Sequence, residues 1–362
     1  MVGRQWRADL KQGLGLLATG SGGAWMAQRI GIPAGVIVGA LLASGLYRLA
    51  GGDPGPWRGR YGRVGRLLLG TVIGAAFGPD VLAPLKTALL PMIVVTAVIV
   101  GVGLGLGWAL ARFTPLDTAT ALISGVPGGM PAMAAIAEET AADATVVTAI
   151  HFARLTTILV LVPALIPLLA TGDAGNAAAQ PFSEVAGFWP TVVTLIVGLL
   201  GGLAGLRLRV PTGDLIGPIL AVGGVQMLGA GLGTLPEGLR QVAMLLIGTA
   251  VGAQMSRESL RLLRQVALPA GALIVTLISV GLGLGWGLSQ VTSLDLASAL
   301  LSSVPGGAST MPAVAHDLGG DMRLVAALHL IRQLVIFILL PAVLGHLLRG
   351  RRHSRPSLIG SE

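Results

Sequence analysis

Residues 124–129 read Ser-Gly-Val-Pro-Gly-Gly, and residues 302–307 read Ser-Ser-Val-Pro-Gly-Gly. Both lie in apolar surroundings where a helix is the natural conformation. Proline followed by paired glycine continues a helix poorly. The copies stand 178 residues apart, and that offset reaches far beyond them. Val102-Gly-Leu-Gly-Leu-Gly-Trp108 recurs unchanged at Val280–Trp286. Pro33, Gly35 and Gly39 match Pro211, Gly213 and Gly217, while Gly70, Thr71 and Gly74 match Gly248, Thr249 and Gly252. Asp117, Asp143, His151, Arg154 and Pro163 match Asp295, Asp321, His329, Arg332 and Pro341 without a gap. The chain is an internal duplication. It reads as one membrane repeat over 1–175, a second over 184–352 and a tail over 353–362, with a polar linker around Asp173.

Composition sets the class. Of 362 residues 53% are hydrophobic and 11% charged, against about 25% charged in soluble domains. Uncharged stretches such as 88–111, 185–206 and 265–292 exceed the roughly 18 residues that mark a membrane span. These runs are continuous rather than alternating, which excludes a β-barrel pattern. The 55 glycines suit helices that pack closely in lipid. With no cysteine, disulfides, thiolate chemistry and iron–sulfur clusters are excluded. The net charge of +8 is carried by arginines near span ends, a positive-inside bias rather than a nucleic-acid footprint.

Each half holds six apolar segments, placed in the first half near 13–30, 32–50, 65–83, 88–111, 117–141 and 145–170. Asp117 and Asp295 are suitable N-caps for the fifth segment, Asp143 and Asp321 for the sixth. With the N-terminus in the cytoplasm, Arg48 to Arg66 also face inward. If all six segments cross, Arg207, Arg209, Arg257, Arg261 and Arg264 fall outside. If five cross, these clusters and the Arg349–Arg355 tail fall inside, as the positive-inside rule requires. The expected fold is therefore all-α and polytopic, with two inverted-topology repeats and about ten transmembrane helices. Two broken Pro-Gly-Gly segments, re-entrant or crossing, complete it. A bacterial inner-membrane location follows, with both termini cytoplasmic.

A broken helix at membrane depth frees backbone groups that can hold a solute, and paired breaks in inverted repeats are typical of secondary transporters. The candidate substrate-binding set is Ser124, Val126, Pro127, Gly128 and Gly129 with Ser302, Ser303, Val304, Pro305, Gly306 and Gly307. His151 and Arg154 join it, three residues apart on one helical face, as do His329 and Arg332. Arg154 lies about 16 Å along its segment from Asp143, near the middle of a core about 30 Å thick. An intramembrane arginine marks function or a buried partner. Glu138, Glu139 and Asp317 are the candidates for proton coupling. Their alternatives are structural partners for Arg154 and Arg332, or charges at helix ends. The Gly-Leu-Gly-Leu-Gly runs lack the Lys-Ser/Thr of a phosphate loop and read as packing faces. Asp214, whose counterpart is Val36, reads as interfacial, or else as an element that sets the halves apart.

Val-Pro-Gly-Gly-Met-Pro-Ala-Met, then Asp143 and His151-Phe-Ala-Arg154, with their second copies, resemble the AbrB-type duplicated bacterial membrane proteins along nearly the whole chain. Members carry labels as ammonia monooxygenases and as regulators of gene expression. The resemblance implies a transporter-like membrane protein in two repeats. The copies depart from each other at Met130-Pro131 against Ala308-Ser309. An oxygenase needs clustered His and carboxylate ligands, and the five histidines show no such spacing. No enzyme, metal or cofactor is expected. The leading expectation is a secondary transporter for a small organic anion. The alternative is a non-transporting sensor or assembly protein that affects gene expression indirectly. Partners are the bilayer, the substrate and, as an option, further copies in a homo-oligomer. No nucleic acid is expected.

Overall fold

A computed structural model describes residues 2–140, 142–169, 187–210, 212–229 and 233–349. The linker around Asp173 and the 353–362 tail lie outside the described residues. The first half holds α1 (Val2–Arg29), α2 (Gly35–Leu49), α3 (Trp57–Ala75), a short 3-10 turn (Pro79–Val81), α4 (Leu82–Phe113), α5 (Thr118–Gly125), α6 (Met130–Glu139) and α7 (Ala144–Leu169). The second holds α8 (Phe188–Arg207), α9 (Gly213–Met227), α10 (Glu237–Gly252), α11 (Arg257–Gln265), α12 (Ala267–Val291), α13 (Leu296–Ser303), α14 (Thr310–Ala315), a 3-10 turn (His316–Leu318) and α15 (Met322–Arg349). Among the described residues there is no strand. The offset of 178 maps α2 onto α9 and α5 onto α13 residue for residue.

Five helices are long and apolar enough to cross a membrane: Pro79–Phe113, Ala144–Leu169, Phe188–Arg207, Ala267–Val291 and Met322–Leu340. Many of their exposed residues are large and apolar, among them Leu90, Trp189, Leu268 and Ile338. The chain is a multi-pass membrane protein.

Two expected boundaries move. The third segment begins at Trp57 and ends at Ala75 rather than spanning 65–83. Arg58, Arg60, Arg63 and Arg66 are good helix formers that an apolar window passes over, and Gly78-Pro79 stops the helix. In the fourth, α4 runs for 32 residues, about 48 Å. Its counterpart is split at Val266 into α11 and α12. Ser256 caps α11 by accepting from the Ser259 amide, and this arginine- and leucine-rich turn buries no residue.

The centre is built from counterpart helices. α3 packs on α9 as α10 packs on α2, and α3 and α10 meet each other, as do α4 and α12. A Cβ on Gly62 would meet Ala250, while one on Gly65 would meet Ile247. As α3 advances α10 recedes, so the two run antiparallel. The Gly-Leu-Gly-Leu-Gly runs are packing faces. A Cβ on Gly107 would lie 2.7 Å from the Ala121 carbonyl, and one on Gly285 2.7 Å from the Leu300 Cα. Glycine there lets α4 receive α5 and α12 receive α13 at backbone contact.

Candidate functional site

The predicted caps position both breaks in the same way. Asp117 accepts from the Thr120 amide at 2.9 Å and from its hydroxyl, and that hydroxyl in turn accepts from the Asp143 amide at 2.8 Å. Asp295 accepts from the Ser298 amide at 2.7 Å, and the Ser298 hydroxyl accepts from the Asp321 amide at 2.7 Å. One hydroxyl in each half thus ties the start of the short half-helix to the start of the long helix that follows. Side chains on α7 and α15 are thereby held against the breaks.

Helical bonding stops where Pro-Gly-Gly predicts. α5 ends at Gly125 and α6 starts at Met130; α13 ends at Ser303 and α14 starts at Thr310. Val126, Gly129 and Val304 are extended. Carbonyls in such a stretch need donors at membrane depth, and the arginines supply them. Arg154 donates to the carbonyls of Val126 at 3.2 Å and Gly128 at 3.4 Å. Arg332 donates to those of Ser302 at 3.3 Å, Val304 at 2.8 Å and Gly306 at 3.0 Å. The four predicted side chains are buried, with 2% exposure at His151, 4% at Arg154, 1% at His329 and 5% at Arg332. Among the described residues no carboxylate pairs with either arginine. The expected partners therefore give way to backbone.

Glu138 and Glu139 are exposed. Asp317 pairs with Arg240 at 2.7 Å, and Arg240 also pairs with Glu237 and donates to the Ala313 carbonyl at 3.3 Å. Arg323 bridges Asp80 at 2.9 Å and Asp321 at 2.7 Å. Of the serines, Ser124 donates back to the Thr120 carbonyl at 2.7 Å. The hydroxyls of Ser302 and Ser303 are buried without a partner among the described residues.

Both breaks line one cavity of about 610 Å³. Pro127, Gly128 and Gly129 come from the first break, Gly306 and Gly307 from the second, followed by Ala308, Ser309 and Thr310. His329, Arg332 and Gln333 enter from α15, and Leu155 from α7. Val126, Val304, Pro305, His151 and Arg154 stand behind this wall, and Glu138, Glu139 and Asp317 are not part of it. The far end is formed by Arg63 and Arg66 of α3 with Leu206, Val210, Thr212 and Asp214 from the α8–α9 corner. Asp214 is 4% exposed and accepts from Arg66 at 2.5 and 3.0 Å. Thr212 precedes α9 in the left-handed region at φ 52°, as Ala34 precedes α2 at φ 53°. Each sits at the corner of a closely packed helix pair, α8–α9 for Thr212 and α1–α2 for Ala34.

Gln333 and Arg66 escaped sequence reasoning. For Gln333 a signal existed, since its counterpart is Leu155 and a polar residue replacing leucine inside a span asks for a reason. Arg66 hid among the arginines of a span end.

Fold and cavity together define a multi-pass helical membrane protein with a cavity lined by two interrupted helices. The chain belongs to the AbrB family: the family described as "Transition state regulatory protein AbrB" matches residues 36–347. It is 27% identical over 329 residues to "Putative regulator AbrB" of Escherichia coli (strain K12), covering 86% of this chain and 89% of that relative. It is 24% identical over 378 residues to "Uncharacterized protein YhjN" of Bacillus subtilis (strain 168), covering 98% of each. No solved structure matches the chain.

Proposed function

We propose that the chain is a secondary transporter that moves a small organic anion through the cavity between its two breaks. The observation that carries this reading is the convergence of both interrupted helices on one cavity that Arg332, Arg63 and Arg66 also line. Among the described residues Asp214 pairs with Arg66 alone, so the wall keeps a cationic excess that favours an anion. The antiparallel meeting of α3 and α10, two counterpart helices, supports inverted repeats. Adding α1, α2, α3, α9 and α10 to the five long apolar helices brings the spans to ten, with the broken pairs as re-entrant hairpins.

In that arrangement both termini are cytoplasmic in the bacterial inner membrane, and the Asp173 linker is outside. The start of α3 then faces the cytoplasm, so the cavity opens inward. The ion pairs of Arg240 and Arg323 close the outer side. Their counterparts are Gly62 and Thr145, so the inner side has no matching ionic seal at those positions.

One observation favours a second reading, a membrane sensor or regulatory protein without transport. The arginine hydrogen bonds go to the protein's own carbonyls, as a structural role requires, and one relative is named as a regulator. Reconstitution into liposomes separates the two. Counterflow of labelled three- to six-carbon carboxylates above that of protein-free liposomes is expected of a transporter, and binding with no flux supports the second reading. In the same preparation Gly172→Cys should react with an impermeant thiol reagent only from outside; reaction only from the cytoplasmic side would overturn the inverted arrangement.

A further inference from the structure

The two breaks are chemically unequal, and the inequality bears on the substrate. In the first half both ring nitrogens of His151 have backbone carbonyls at hand, Val147 at 2.9 Å from Nδ1 and Val126 at 3.1 Å from Nε2. In the second half His329 donates from Nδ1 to the Val325 carbonyl at 3.0 Å. Its Nε2 is buried with no partner among the described residues, and the counterpart carbonyl, that of Val304, accepts from Arg332 at 2.8 Å. In the neutral ring that Nε2 is a lone-pair acceptor. Four residues on, on the same helical face, the Gln333 Oε1 is a second buried acceptor without a donor. Both residues line the cavity with Arg332. Buried acceptors without donors are costly, and a donor that pressed into this wall would relieve that cost.

Resting on the transporter reading, we propose that the substrate is a small carboxylate carrying a hydrogen-bond donor of its own, a hydroxy or amino acid. An ammonium group can donate to both His329 Nε2 and Gln333 Oε1, and a hydroxyl, with one proton, to either of them. The substrate's carboxylate faces the cationic wall of Arg332, Arg63 and Arg66. Its carbon chain lies against Pro127, Met130, Met133 and Leu155, the apolar part of the lining. A polar site that expects a donor rejects an analogue lacking one more strongly than an apolar pocket rejects a missing methylene. The specificity for a donor therefore belongs to the second half, while the first half supplies cationic and apolar wall.

The test uses the full chain purified in detergent and thermal shifts with matched acids: lactate and alanine against propionate, malate and aspartate against succinate. The donor-bearing member of at least one set should bind about tenfold more tightly than its plain analogue. Lactate and malate against alanine and aspartate then tell hydroxyl from ammonium. Gln333→Leu, which installs the residue already present at the counterpart position 155, should fold and narrow that preference. Gln333→Met, closer in shape, should do the same. Equal shifts for donor-bearing and plain acids, or a preference untouched by both variants, would overturn the inference while leaving an anion transporter standing. Absence of any shift across the panel would overturn the inference and the anion reading with it.

Discussion

The first break is closed on itself and the second is not. Around Val126–Gly129, His151 and Arg154 both turn to local carbonyls, and neither reaches the cavity. Around Val304–Gly307 the guanidinium of Arg332 takes three carbonyls, yet Arg332 and His329 still form part of the wall. The same letters in the same register thus do two jobs. One copy holds an unwound backbone open, and the other does that and faces the cavity. Duplication supplies the symmetry of the fold, and small local departures such as Gln333 against Leu155 supply the chemistry.

The largest expected effect concerns the clamps. Arg154→Met leaves the Val126 and Gly128 carbonyls without their guanidinium donor and should lower stability by about 2–6 kcal/mol at 1–3 per orphaned group, read as a fall in melting temperature. Arg332→Lys keeps the charge but loses the planar fork, so it should lower stability and also weaken carboxylate binding. Arg154→Lys should lower stability and leave binding nearly intact. Equal loss of binding in both lysine variants would erase the distinction between the breaks.

A smaller effect tests the faces that carry the breaks. Gly107→Ala and Gly285→Ala bring a methyl group onto backbone and should cost about 1–3 kcal/mol through overpacking. Gly105→Ala and Gly283→Ala meet nothing within 4 Å and should be neutral or stabilising by up to about 1 kcal/mol, the helix-propensity gain. Matching losses at all four positions would contradict the asymmetric faces described here.

The smallest effect concerns the outer seal. Asp317→Asn removes one of the two carboxylates on Arg240 and should cost about 1 kcal/mol. It should also speed labelling of Ala313→Cys by an impermeant thiol reagent from the linker side. Unchanged labelling would mean that Arg240 serves stability alone.

What could be read from the sequence was local. Asp117 and Asp295 cap the helices they precede, each helix ends eight residues later just before Val-Pro-Gly-Gly, and His151, Arg154 and their copies point inward, because each of these depends on neighbours within a turn or two. Two kinds of fact were not legible. The true partners of Arg154 and Arg332 are carbonyls, which every residue carries and no letter marks. Arg66 with Asp214 and Arg240 with Asp317 are pairs across 148 and 77 residues, the first set by how the halves dock and the second by how one half packs on itself. The apolar window also missed the arginine-rich start of α3, which turned out to form one end of the cavity.

The central claim is that the interruptions themselves make the site, and straightening one tests it most directly. Replacing Pro127, Gly128 and Gly129 together with alanine removes the helix breakers and lets α5 run toward α6. Counterflow of a carboxylate that the native chain moves should fall to the level of protein-free liposomes, in a protein that still melts cooperatively. The same substitution at Pro305, Gly306 and Gly307 should do likewise. Native flux through a folded variant whose break has been straightened would contradict the account.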